Sequence, residues 1–233
     1  MKNLIIQHFV PAKAGLDPVR KMEDDIPMLV KKSSENVQEY AKRFNSDYKM
    51  LSGTPFRKNL SYKCQKCAII NEEYDEYDIV VALDTDVFFT KKCNENIFFE
   101  KGIAYMGETQ KRQILSLASN IINLGFVSND TSFWSGAVYV MDRPLRKKLR
   151  NVLENTKNIE NALIKFDTFF KVWDEGIFHS LCHLAGIGKV SLDQKWNYDS
   201  SLPNLEKANL IHIRHRPKTR DENYSDLKEN GII

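Results

Sequence analysis

The sequence lacks the apolar run of about 18 residues that a membrane-spanning helix requires, so no membrane span is predicted. Its N-terminal apolar stretch is too short for the core of a signal peptide and is interrupted by Gln7 and His8. These absences predict a cytoplasmic protein. The formal net charge is only +3 in 233 residues, and this charge gives no indication of a nucleic-acid partner.

Cysteine is scarce, with four residues in the whole chain. Cys64 and Cys67 form a C-x2-C pair, but no second pair of this kind completes a zinc site. The cysteines are therefore predicted to be small buried side chains rather than redox or metal groups. Internal repeats, low-complexity segments and Pro/Gly-rich linkers are also absent, which predicts a single domain over residues 1–233.

Strand and helix signals alternate along the chain, and this alternation predicts an α/β fold. The unbroken apolar run Ile79–Leu83 is typical of a strand that is covered on both faces, as in a mostly parallel central sheet flanked by helices. Helices are predicted from Pro27 onward, at about 145–153, at 159–173 and from Glu175 to Gly186. Residues 217–233 show no core pattern and are predicted to form a polar tail.

Two carboxylates, Asp84 and Asp86, directly follow the apolar strand. In an open α/β sheet, ligands bind beyond the carboxyl ends of the strands. Residues i and i+2 of an extended chain point to the same side, so these like charges repel unless a cation lies between them. Oxygen ligands with open coordination positions suit Mg²⁺ or Mn²⁺. The pattern therefore predicts a divalent metal site.

The stretch "VVALDTD" resembles the signature of GT-A-fold glycosyltransferases, in which such a motif holds a metal on the diphosphate of a nucleotide sugar. Four further stretches are similar to parts of these enzymes and follow in the same order: "FWSGAVYVMD", "WDEGIFHSL", "KWNY" and "LIHIRH". Trp134 stands where the family usually has Asn. The matches span residues 4–216, and the resemblance implies a single-domain, Rossmann-like GT-A fold.

The resemblance also implies roles for particular residues. Asp84, Asp86 and His212 are the implied ligands of Mn²⁺ (or Mg²⁺), with His215 as the alternative histidine. Asp174 and Glu175 are the implied catalytic acids, Asp174 being preferred, although neither inversion nor retention is specified. Contacts to the donor sugar or the acceptor are predicted for Trp134, Ser135, Gly136, Asp174, Trp196 and Asn197. Trp134 and Trp196 are expected to stack on sugar faces, whereas Trp173 is expected in the core.

The implied donor is a nucleotide sugar, with UDP favoured by the family, and the implied acceptor is a glycan or glycoprotein. Residues of about 1–95 are predicted to bind the nucleotide and residues of about 96–216 the donor sugar and acceptor, on one shared sheet. The predicted nucleotide-binding residues are Gln7, His8, Phe9, Val10, Arg57, Lys63, Asp84, Thr85 and Arg214. In size the chain resembles the small glycosyltransferase domains of large algal DNA viruses, which implies a viral protein acting in a host cytoplasm.

Three other functions are open from the sequence. A HAD-type phosphatase also ends a strand in D-x-D, but usually on the first strand and with Thr or Val where this chain has Phe88. A sugar-phosphate nucleotidyltransferase normally has a Gly-rich loop after its first strand, whereas "FVPAKAGLDP" contains one Gly. A non-catalytic carbohydrate-binding module would bind sugar without any need for nucleotide or metal.

Overall fold

The structure is a computed structural model that describes residues 1–10, 27–100, 102–105, 134–169, 173–187, 192–213 and 219–233, with the backbone alone for 102–105 and 134. The strands are β1 Asn3–His8, β2 Asp47–Leu51, β3 Ile79–Leu83, β4 Val87–Phe89, β5 Gly102–Tyr105, β6 Trp134–Asp142, β7 Tyr198–Asp199 and β8 Leu210–His212. The α-helices are α1 Met28–Arg43, α2 Arg143–Asn155, α3 Ile159–Thr168, α4 Trp173–Leu184 and α5 Arg220–Glu229. Short 3-10 helices cover Tyr62–Ile70, Glu72–Tyr74, Ile97–Phe99, Gln194–Trp196 and Leu205–Lys207.

The central sheet has five strands in the order β2-β1-β3-β6-β5. Strand β1 pairs in parallel with both β2 and β3, while β6 runs antiparallel to its two neighbours. The sheet is therefore mostly parallel, with β6 as the reversed strand, and the α/β fold predicted from the sequence is confirmed.

Strand β3 is buried on both faces, as its apolar sequence predicts. Val80 and Ala82 face one hydrophobic core, which includes the 3-10 helix Tyr62–Ile70 and helix α4. Ile79, Val81 and Leu83 face a second core, which includes helix α1. All four cysteines are free and buried, in agreement with the sequence.

A second, three-stranded sheet has the order β4-β8-β7. Strand β4 begins at Val87, directly after the D-x-D segment, and pairs antiparallel with β8, so that Val87 lies opposite His212. The backbone N–H of Ile213 also donates to the carbonyl oxygen of Asp86 at 2.9 Å. The smaller sheet thereby carries His212 from the far end of the chain to the aspartates.

Two expectations about helices are wrong. The helix predicted at 159–173 ends at Thr168, and a separate helix, α4, begins at Trp173. The segment predicted as a polar tail contains helix α5, whose Tyr224 and Leu227 are buried against Phe88 and other residues of the smaller sheet. Two apolar residues within one short polar helix were too weak a pattern to indicate this packing.

The described helices include none with the length and apolarity needed to cross a bilayer.

Candidate functional site

The D-x-D segment is fixed to the central sheet through its backbone. The N–H of Asp84 donates to the carbonyl oxygen of Ala137 in β6 at 2.9 Å. The buried side-chain amide of Gln7 donates to the carbonyl oxygen of Asp84 at 2.8 Å and to Ser33 Oγ at 3.0 Å. The Gln7 amide oxygen accepts from the Tyr48 hydroxyl at 2.9 Å. The carboxylates are thus presented from a rigid backbone at the end of β3.

Asp84, Asp86 and His212 form a compact group of potential metal ligands. One donor atom of each side chain lies within 4.8 Å of the others. His212 Nε2 is 3.3 Å from Asp86 Oδ1, and both side chains are largely buried. Two carboxylate oxygens and an imidazole nitrogen suit Mn²⁺, and suit Mg²⁺ less well because it prefers oxygen. These residues therefore fit the divalent metal that the sequence predicted.

A buried lysine links the aspartates to helix α4. The Lys66 side chain is only 8% exposed, and its ammonium donates to Asp84 Oδ1 and to the carbonyl oxygen of Gly136. The same ammonium lies 3.4 Å from Asp174 Oδ2. Burial alone would lower the pKa of Lys66, but the neighbouring Asp84 and Asp174 raise it above its usual value. Lys66 therefore remains charged and holds the two carboxylates together.

Helix α4 supplies two acids to the site from its first turn, Asp174 and Glu175. The Tyr139 hydroxyl, on β6, donates to Asp174 Oδ2 at 3.0 Å. The backbone N–H of Gly136 donates to Glu175 Oε1 at 2.7 Å. Strand β6 consequently orients both acids.

Glycine at position 136 lets helix α4 approach β6 closely. A Cβ atom there would lie 2.9 Å from Asp174 Oδ2 and 3.0 Å from Glu175 Cγ. The carboxyl groups could not keep their positions beside a larger side chain. The Ser-Gly pair of the sequence resemblance thus has a steric purpose in this chain.

Burial raises the pKa of both acids on α4. For Asp174 the loss of water is the main cause, and Lys66 opposes it. For Glu175 the loss of water and the negative charge of Asp174 raise the pKa to about 8. A carboxyl group with a pKa near neutrality can exchange a proton under physiological conditions.

Replacing Glu175 with Gln is expected to change how stability depends on pH. At pH values between its ordinary pKa of about 4.3 and its raised pKa in the folded protein, Glu175 keeps a proton that the same residue has lost in the unfolded chain. The free energy of unfolding therefore falls as the pH rises through this range. Glu175→Gln removes this loss and retains an oxygen for the Gly136 N–H. We expect a stabilisation relative to wild type that grows from about pH 5 to about pH 8, measured by urea unfolding. A difference that is constant across this range would contradict the assignment.

Several predicted site residues are inside the protein. Trp196 is fully buried in the core beside Leu210, so the prediction that its ring stacks on a sugar is wrong. Asn197 is also buried, at the end of the same 3-10 helix. Gln7 is buried, and both its amide nitrogen and its amide oxygen form hydrogen bonds within the protein. It therefore supports Asp84 instead of facing a nucleotide. Ser135 is buried in β6 next to Gly136.

Other predicted residues lie around the rim or beyond it. His8 is half-buried at the end of β1, where Nε2 lies 3.0 Å from the carbonyl oxygen of Gly53, and burial lowers its pKa. Phe9 and Val10, which follow, are buried, whereas Thr85 is partly exposed. Arg57 donates to Glu160 on α3. The Lys63 ammonium lies 3.8 Å from the ring centroid of Trp173, which packs partly buried against the core.

Arg214 and the alternative ligand His215 lie outside the described residues, as does the side chain of Trp134.

Three residues of the site had no predicted role: Lys66, Tyr139 and Arg220. Lys66 lies in a lysine-rich segment where an exposed side chain is the ordinary expectation. Tyr139 lies within the stretch "FWSGAVYVMD", but the resemblance implied no role for it. Arg220 was assigned to the polar tail, yet its Nη2 lies 2.8 Å from Asp86 Oδ2. A better signal for Arg220 was the T-x-x-E capping sequence from Thr219, which marks the start of a helix.

Two solved structures share this fold over nearly the whole chain. One is a glycosyltransferase involved in the glycosylation of the major capsid of PBCV-1. It is 12% identical, with a TM-score of 0.50, and the alignment covers 98% of this chain and 100% of that one. The other is the bifunctional glycosyltransferase WbbM, also 12% identical, with a TM-score of 0.52 over 98% of this chain and 49% of that one.

The chain therefore has the GT-A fold, as the resemblance in its sequence implied. The first neighbour also agrees with the expected likeness to viral glycosyltransferases at the level of the fold. No protein-family model matches the sequence, and no curated protein does.

Proposed function

We propose that this protein is a glycosyltransferase that moves a sugar from a nucleoside-diphosphate sugar to a hydroxyl group of a glycan or glycoprotein. The observation that carries this proposal is the group of Asp84, Asp86 and His212 at the carboxyl end of β3 in a GT-A fold. UDP is the proposed nucleotide, because the D-x-D resemblance favours it.

In this proposal, Asp84, Asp86 and His212 hold Mn²⁺. When bound, the ion supplies Lewis-acid stabilisation of the negative charge that develops on the departing nucleoside diphosphate. The half-buried His8, at the end of β1, is proposed to border the nucleotide, since ligands of open α/β sheets lie beyond the carboxyl ends of parallel strands.

The donor sugar is proposed to lie on the exposed side of Asp84, next to Lys66 and the two acids of α4. Lys66 and Tyr139 hold Asp174 in one orientation, ready to accept hydrogen bonds from sugar hydroxyls. Glu175 is less buried than Asp174 and has a pKa raised to about 8, so it is the acid proposed to exchange a proton with the reacting hydroxyl. This reverses the preference for Asp174 that the sequence suggested.

The proposed donor site is tested by calorimetric titration of UDP, and separately of GDP, into the protein. Each titration is made with Mn²⁺ and repeated with EDTA. We expect UDP to bind at least about tenfold more tightly with Mn²⁺, a difference of about 1.4 kcal/mol, and GDP to bind more weakly than UDP. Such a result would justify a screen of UDP-sugars for UDP release with and without acceptor glycans.

Failure of both nucleotides to bind with Mn²⁺ would refute the nucleotide-sugar donor. Glycan binding that needs neither nucleotide nor metal would then favour a carbohydrate-binding module, and release of inorganic phosphate would favour a phosphatase.

A further inference from the structure

Helix α5 places a guanidinium group on the second aspartate of the proposed metal site. Arg220, the first residue of the helix, lies with Nη2 at 2.8 Å from Asp86 Oδ2. The Asp86 side chain is 12% exposed and that of Arg220 is 37% exposed. The contact therefore lies at the mouth of the site, where one partner faces the interior and the other can reach solvent.

The start of α5 is fixed independently of this ion pair. The Thr219 hydroxyl accepts from the N–H of Glu222, and the Glu222 carboxylate accepts from the N–H of Thr219 at 2.8 Å. Further along the helix, the ring of Tyr224 packs against Phe88 of β4 with centroids 5.3 Å apart. Arg220 is thus carried on a helix that is docked beside the aspartates.

A positive side chain in the first turn of a helix is unfavourable, because the N-terminal end of the helix dipole is also positive. Arg220 holds this position, and the carboxylate of Asp86 is the anion it contacts. The contact with Asp86 therefore explains an arginine at this position, whereas the helix itself gains no stability from its charge.

Each aspartate of the D-x-D motif has a cation beside it in the described site. Lys66 lies between Asp84 and Asp174, and Arg220 contacts Asp86. A divalent ion would bring two further positive charges next to these two cations. The diphosphate of a nucleotide sugar carries two negative charges, which would offset those of the ion.

We propose that Arg220 has two successive partners, Asp86 when the metal is absent and the diphosphate when metal and nucleotide are bound. The proposal rests on the proposed function, because it requires a metal and a nucleoside diphosphate at this site. Bound to Asp86, the guanidinium competes with the ion for a ligand. Released from Asp86, it offers charge-assisted hydrogen bonds to phosphate oxygens within reach of the same helix end. Metal and nucleotide therefore strengthen each other's binding.

The test compares Arg220→Gln with wild type in two titrations. Mn²⁺ binding without nucleotide is followed by the electron paramagnetic resonance signal of the free ion, and UDP binding at saturating Mn²⁺ is followed by calorimetry. We expect Arg220→Gln to bind Mn²⁺ alone about tenfold more tightly and UDP about tenfold more weakly. Arg220→Lys, which keeps the charge, should hold the Mn²⁺ affinity within about threefold of wild type.

Lys228→Gln is the matched control, since Lys228 is exposed in the last turn of the same helix. It removes one positive charge at a distance of about 12 Å along the axis, and both affinities should be unchanged. Thermal unfolding of each variant establishes that it is folded. Arg220→Gln is expected to fold, because Tyr224 and Leu227 anchor the helix.

The outcomes separate the two proposals. If wild type binds no UDP with Mn²⁺, the proposed function fails. If wild type binds both, but Arg220→Gln matches Lys228→Gln or loses affinity for Mn²⁺ as well, Arg220 does not compete with the metal and the inference is overturned. Wild type also tests it without any variant, because equal Mn²⁺ affinity with and without UDP would exclude the coupling.

Discussion

An Asp86→Asn variant is expected to lose metal-dependent UDP binding and to transfer sugar about 1,000-fold more slowly than wild type. Asp86 faces both His212 and Arg220, and it belongs to the group of three potential metal ligands. Asparagine keeps the shape of the side chain but offers the ion a neutral oxygen. Calorimetry with UDP and Mn²⁺ measures the first effect, and the rate of UDP release from the UDP-sugar that wild type uses measures the second.

The control for this variant is Glu206→Gln, which removes a carboxylate from an exposed position on the 3-10 helix Leu205–Lys207. It should bind UDP and turn over as wild type does. Retention of the Mn²⁺-dependent UDP affinity within about threefold by Asp86→Asn would show that the second aspartate does not hold the ion.

A Lys66→Met variant is expected to have the largest effect on stability. Removing the buried ammonium leaves Asp84 and Asp174 facing each other without their shared cation. Breaking a buried ion pair costs about 3–5 kcal/mol, and we expect about 3 kcal/mol because the Asp84 side chain is 36% exposed and water can solvate it. The free energy of unfolding in urea measures this loss.

The double variant Lys66→Met/Asp174→Asn tests the cause of that loss. If the cost arises from the unpaired carboxylate, neutralising Asp174 should recover at least about 1 kcal/mol relative to Lys66→Met. Additive losses would indicate that Lys66 contributes through packing of its aliphatic chain, and not through its charge.

The sequence predicted the part of the site that regular structure positions. The unbroken apolarity of Ile79–Leu83 indicated a strand covered on both faces, and Asp84 and Asp86 necessarily follow at its carboxyl end. His212 ends a short apolar strand, and the order of the motifs along the chain linked it to the aspartates. The structure brings these three side chains together.

The positions of the remaining site residues depend on tertiary packing, which the spacing of apolar residues along the sequence does not reveal. Lys66 lies in a 3-10 helix, where no helical stripe of 3.6 residues separates inside from outside, so its burial against Asp84 was not predictable. Trp196 lies beside a motif expected in the site, but the side to which its ring turns is set by the core around Leu210. To predict a role for Arg220 in the site, one would need to know that the packing of Tyr224 on Phe88 brings α5 next to Asp86.

The pairing of β4 with β8 has a consequence for how the protein becomes functional. Val87 and His212 meet across a ladder that joins segments very distant in sequence. Contacts of such large separation carry a high loop-closure entropy and form slowly during folding. The strands β1, β2 and β3 pair within the first part of the chain, so the sheet that presents the aspartates can form earlier. A chain that has collapsed but not finished folding therefore has its two carboxylates without their histidine, and the three potential ligands come together only in the native state.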